Sequence, residues 1–152
     1  MSYDLMVFEP EAAPKDHPRF LEWYFQQTKW QEGHSYGDPA ITSTRLRDWL
    51  ADIRQTFPSI NVVDSAELPE DEASATDYSI GKEFIYACFA WSKEAIAYQT
   101  VFDLAKKHGL GLFNVSSGCE EVWLPHLGKL TLAHQKESLT LLDKLRRRFS
   151  PS

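Results

Sequence analysis

His34 with Asp38, and Glu120 with Glu121, are the residue pairs of this 152-residue chain whose types and spacing could share a chemical task. A histidine and an aspartate four residues apart can supply two ligands to a metal, but a third and fourth must come from elsewhere. The surrounding HSYGDP has the composition of a polar turn, and a two-residue motif constrains little. Glu120 and Glu121 alternate across an expected strand, so their carboxylates point apart rather than sharing a proton. The other histidines, at 17, 108, 126 and 134, are scattered. Cys88 lies within an apolar run, where a thiol behaves as a small hydrophobe and its pKa rises; Cys119 falls in an expected turn and is the more reactive of the two.

The usual catalytic signatures are missing from the sequence. Ser116 and Ser117 stand outside any Gly-x-Ser-x-Gly elbow and read as turn residues. The GLG at 109–111 lies between a helix and a strand, the reverse of the strand-to-helix setting of a phosphate-binding loop. The sequence therefore points to no catalytic residue, no cofactor and no metal, and favours a protein that is not an enzyme.

Two features point instead to binding. Residues 55–81 contain no lysine or arginine, while Asp64, Glu67, Glu70, Asp71, Glu72 and Asp77 are all acidic. Pro69 and the small residues 73–75 make this stretch an exposed loop, a common setting for recognition. The second feature is a tryptophan stripe, Trp23, Gln27 and Trp30, followed by Glu32, His34 and Tyr36; tryptophan and tyrosine are favoured interface anchors. If a pocket is assembled instead, the residues to line it are Trp30, His34, Tyr36 and Asp38.

The elements that must position these groups follow from periodicity. In YDLMVFE, Tyr3, Leu5 and Val7 face one way and Met6 and Phe8 the other, an interior strand. Asp16 and Pro18 open a helix on which Leu21, Tyr24, Phe25 and Thr28 share one face and the tryptophan stripe another. The first face is expected on the sheet and the stripe beside a second helix, capped by Thr42 or Ser43, in which Leu46, Trp49, Leu50, Ile53 and Phe57 recur before Pro58.

DYSI and EFIYACFAW form a hairpin about Gly81 and Lys82, with Phe84, Tyr86 and Cys88 on one face of the long strand. Ser92 is the expected cap of a third helix, stopped by Gly109. LGLFNVS then implies a right-handed parallel crossover, EEVWLP follows, and residues 131–149 read as a C-terminal amphipathic helix carrying Leu139, Leu142 and Leu145. The sum is a single α+β domain: a mixed sheet of about five strands with three to four helices, ferredoxin-like in flavour.

SYDLMVFEP, FLEWYFQQTKW, YGDP, DYSIGKEFIYACFAW and VWLP together resemble a group of small bacterial cytoplasmic proteins, some of them found among immunity-type proteins that neutralise a cognate toxin. The resemblance runs to Pro125, excludes the tail and carries no catalytic motif. A formal charge of −6 disfavours nucleic acid and favours a basic protein partner. The N-terminus lacks a secretory pattern and no run reaches membrane-spanning length, which predicts a cytoplasmic protein. The leucine-rich tail is a candidate homodimer contact.

Overall fold

Five of the six residues in Tyr3–Phe8 are apolar or aromatic and nearly all are buried, so the first strand, β1, needs neighbours on both edges and layers on both faces. A computed structural model, describing residues 1–60 and 71–135, supplies them. The remaining strands are β2 (Asp77–Ile80), β3 (Phe84–Phe89), β4 (Gly111–Asn114), β5 (Glu121–His126) and β6 (Lys129–His134), and the helices are α1 (His17–Gln27), α2 (Thr44–Ile53) and α3 (Glu94–His108). The strands form one six-stranded sheet in the order β2-β3-β1-β4-β5-β6, and all its neighbouring pairs are antiparallel.

This is the α+β class expected, with a correction to the sheet: six strands rather than about five, and no parallel neighbours. β3 and β4 do run parallel, as the crossover through α3 requires, because each is antiparallel to β1. β1 lies between them, so the crossover spans one strand. The order β2-β3-β1-β4, with one connection through α2 and another through α3, is the ferredoxin-like arrangement. To it the chain adds the hairpin β5-β6 and helix α1.

The two faces of β1 and β3 alternate as their sequences imply. Tyr3, Leu5, Val7, Ile85, Ala87 and Phe89 join Leu46, Trp49, Leu50, Ile53 and Phe57 of the α2 segment and Ala97, Val101 and Ala105 of α3 in the larger core. Met6, Phe8 and Phe84 face the other way and meet Phe20 of α1, with Phe113 and Val122. Helix α1 therefore lies on the opposite side of the sheet from α2, not beside it. The helix that packs beside α2 is instead α3.

The faces of α1 differ from the expected ones for the same reason. Phe20 is the fully buried anchor and Phe25 is 61% exposed. Trp23 packs on Phe8 and Phe20, with ring centroids 5.6 Å away in each case, so it belongs to the sheet-facing side.

The helix ends are set locally. Asp16 accepts the Arg19 N–H and Ser43 accepts the Leu46 N–H, caps worth about 1 kcal/mol each. Ser92 does not cap α3; it lies in a short 3-10 turn, Trp91–Lys93, and α3 begins without a side-chain cap. Gly109, at φ +67°, closes α3 in the left-handed conformation. Residues 131–134 belong to β6 rather than to a terminal helix, because Leu130 is buried in the larger core and draws this segment onto β5. The rest of the expected helix, with Leu139, Leu142 and Leu145, lies outside the described residues.

Candidate partner-binding face

Helix α1 covers only part of its side of the sheet. Phe20 and Tyr24 pack on Phe113 of β4, and His17 stacks on His134 of β6, which centres the helix over β1, β4 and the added hairpin. Toward β2 the sheet presents two lateral rows. Asp77, Cys88 and Asp4 stand opposite one another on β2, β3 and β1; Ser79, Tyr86, Met6 and Phe113 form the next row. With strands about 4.8 Å apart, Asp77 and Asp4 flank Cys88 at roughly 10 Å from each other. Asp4, Asp77, Ser79, Tyr86 and Cys88 are all half-buried.

A carboxylate inside an interior strand has to be held by donors, or its desolvation goes uncompensated. The Tyr86 hydroxyl donates to Asp4 Oδ2 and the Ser2 hydroxyl to Oδ1, each at 2.5 Å, while Ser116 Oγ accepts the Asp4 N–H at 2.8 Å. Burial, then the hydrogen bond to Asp4, raises the Tyr86 hydroxyl pKa far above its ordinary value. Burial followed by the Asp4 charge pushes the Cys88 thiol up to about 12. Burial also raises Tyr24. At neutral pH the groups around Asp4 are thus protonated hydroxyls and a protonated thiol. The cluster's chemistry is hydrogen bonding and charge attraction.

Aromatic surface borders this row. Trp30 meets Tyr86 edge-on at 5.8 Å, Tyr36 at 5.1 Å and Phe84 at 6.1 Å, and it remains 40% exposed. It is not part of the α1 stripe: the helix ends at Gln27, and Trp30 adopts φ +56° just beyond it. A non-glycine residue in that region costs about 1–2 kcal/mol. The loop after it is self-tied. The Glu32 N–H donates to the Tyr36 hydroxyl at 2.9 Å, Glu32 Oε1 accepts the Lys82 N–H at 3.1 Å, and the Tyr36 carbonyl accepts the Ile80 N–H at 2.7 Å on the outer edge of β2.

Trp30 and Tyr36 therefore pack together on the side of the sheet that Asp77 also faces, near the Ile80 end of β2 with Asp77 at its start, while Trp23 is turned inward. Asp71 and Glu72 lie at the start of the returning segment, Asp71 paired with Lys93 at 2.5 Å and capping the turn Glu72–Ser74. Asp64, Glu67 and Glu70 lie outside the described residues. Of the four residues expected to line a pocket, Trp30 and His34 both pack on the Tyr36 ring, with His34 3.5 Å from Glu32 Oε1, whereas Asp38 caps the turn Pro39–Ile41 through the Ala40 N–H; His34 and Asp38 do not meet as a ligand pair. No hydrogen bond or ion pair joins them. Glu120 and Glu121 do point apart, toward His17 at 3.3 Å and the Trp123 indole at 3.4 Å.

Sequence reasoning missed Asp4 and Tyr86. Asp4 is the single charge within YDLMVF, and that placement in an interior strand was the available signal.

Several carboxylates are neutralised by cations: Glu9 and Glu11 by Arg45, and Asp52 by Lys107, with His108 also in contact. Among the described residues, Asp4 and Asp77 have no lysine, arginine or histidine within ion-pair reach. Nor does any group of three or more histidine, cysteine and acidic residues suited to a metal occur among them. No described helix is long and apolar enough to cross a membrane. Comparison of the chain with protein-family models, curated proteins and solved structures finds no match.

Proposed function

We propose that this chain is a non-catalytic binding protein, immunity-like in its action, that neutralises a basic protein partner through the acidic and aromatic side of its sheet. The observation that carries the reading is the pair Asp4 and Asp77, left without cations on the side of the sheet where Trp30, partly exposed, packs on the Tyr86 that holds Asp4. Carboxylates without cationic partners on the same side as an exposed aromatic anchor suit a lysine or arginine side chain, which can satisfy charge and lay its alkyl stem or guanidinium on the ring. The chain enters and leaves the acidic stretch at Ile60 and Asp71, which flank the parallel bridge of Ser59 with Thr76, next to Asp77.

Electrostatic attraction of this kind speeds encounter and is screened by salt. Calorimetric titration with a lysine- and arginine-rich peptide should show an affinity that falls as ionic strength rises. Asp4→Asn combined with Asp77→Asn should weaken it further at low salt. An affinity indifferent to salt and to both substitutions would remove the reading.

A further inference from the structure

At the same end of the sheet, on the face covered by α3, Tyr3, Glu94, Ala95, Tyr98, Asn114 and Glu121 line a cleft of about 430 Å³. Asn114 is 7% exposed, and its Oδ1 accepts no hydrogen bond from the described residues. Buried polar atoms in folded proteins are almost always paired, so an unpaired amide oxygen on the wall of a cleft marks a position for a donor from outside. Two carboxylates share that wall. Neither Glu94 nor Glu121 has a cation within ion-pair reach among the described residues, and the Trp123 indole N–H holds Glu121 Oε2 at 3.4 Å.

The walls are otherwise aromatic. The Tyr3 and Tyr98 hydroxyls stay neutral, their pKa values raised first by burial and then by neighbouring negative charge. The Tyr3 ring is backed by Trp91 at 5.3 Å.

These groups select a ligand class. An amide oxygen and two carboxylates are acceptors, so the occupant must present several N–H donors and positive charge. The space is within the usual range of about 300–1,000 Å³ for a small-molecule site, much more than a bare ion needs. A calcium ion takes about six to eight oxygens, and two carboxylates with one amide fall short of that set. A planar guanidinium carries five donors in a fixed fork, is weakly hydrated and stacks on tyrosine faces.

We propose that the cleft between β1, β4, β5 and the start of α3 binds a guanidinium group, with Asn114 Oδ1, Glu94 and Glu121 as its acceptors. The group can belong to a free guanidino compound or to an arginine side chain of another protein; the recognition chemistry is the same. The cleft lies across the sheet from Asp4 and Asp77, and its ligand need not be a protein, so this proposal and the docking reading can fail separately.

Isothermal titration of the full chain separates the outcomes. Methylguanidinium and agmatine probe the free compound; a capped arginine tripeptide, with its lysine counterpart, probes the side chain. Saturable one-site binding of either guanidinium source is expected, stronger than that of the lysine peptide and of tetramethylammonium, which lacks N–H donors. Glu94→Gln with Glu121→Gln should weaken binding by about tenfold or more, the expected loss for charged hydrogen bonds. Asn114→Leu should do the same, and a thermal melt of each variant shows whether it remains folded. Binding of small probes alone assigns the site to a free compound, and binding of the peptide alone assigns it to a side chain. No saturable binding of any guanidinium, equal binding of tetramethylammonium or calcium, or wild-type affinity in the folded carboxamide variant would overturn the proposal.

Discussion

Asp4 and Cys88 sit opposite each other on β1 and β3, and the carboxylate adds to the effect of burial on the thiol. Because burial first and Asp4 second hold the Cys88 pKa at about 12, its thiolate is scarce at neutral pH. A thiol-labelling time course on the folded protein should therefore modify Cys119 well before Cys88. Asp4→Asn removes a negative neighbour and lowers the Cys88 pKa, so its labelling should accelerate; an unchanged rate would separate the two groups. Tyr86→Phe takes one donor from a charged acceptor and should cost about 1.5–3 kcal/mol in chemical denaturation. Part of this was legible beforehand. The low reactivity of Cys88 follows from its apolar run, but its carboxylate neighbour and the Tyr86 hydroxyl depend on pairing between segments 82 positions apart.

At the scale of elements, local signals served well and cross-chain ones did not. The caps Asp16 and Ser43, the stop at Gly109 and the two-faced strands β1 and β3 are set by neighbours within a few residues. The side of the sheet taken by α1 is not, because a helix with aromatics on several faces fits either layer and the choice rests on Phe20 reaching Phe8 and Phe113. Gly111 tests that packing. A Cβ there would lie 2.3 Å from Phe8 Cζ, so Gly111→Ala should lower stability by about 1–3 kcal/mol in urea denaturation. An unchanged midpoint would mean that Phe8 does not lie over β4.

Helices α2 and α3 are joined by Asp52, which accepts from Lys107 at 2.9 Å and contacts His108 at 2.6 Å. Hydrogen bonds from Lys107, then His108, hold the Asp52 pKa below its ordinary value of about 3.9. A depressed carboxylate contributes stability above the unfolded pKa and loses it as pH falls through the lower folded value. Asp52→Asn should accordingly lower stability at neutral pH and make the loss below about pH 4 shallower in pH-dependent denaturation. Retention of the full acid-limb slope would exclude Asp52 as its source.

Over the whole molecule, the antiparallel order brings the starts of β1, β2, β5 and α3 to the end of the sheet where β3 and β4 finish. Asp4, Asp77, Glu94 and Glu121 gather there without cationic partners among the described residues, divided between the sheet's two faces. Composition announced the excess of acid, and residues 55–81 pointed to one of these positions, Asp77. The others, Asp4, Glu94 and Glu121, lie in three separate segments, and only the sheet order assembles them. The direct test of the docking account is amide chemical-shift mapping with a lysine- and arginine-rich peptide at low and high salt. The account predicts salt-sensitive shifts concentrated at Asp4, Asp77, Tyr86, Cys88 and Trp30, lost in Asp4→Asn with Asp77→Asn. Shifts spread evenly over the surface, or centred on the exposed sides of α2 and α3, would contradict it.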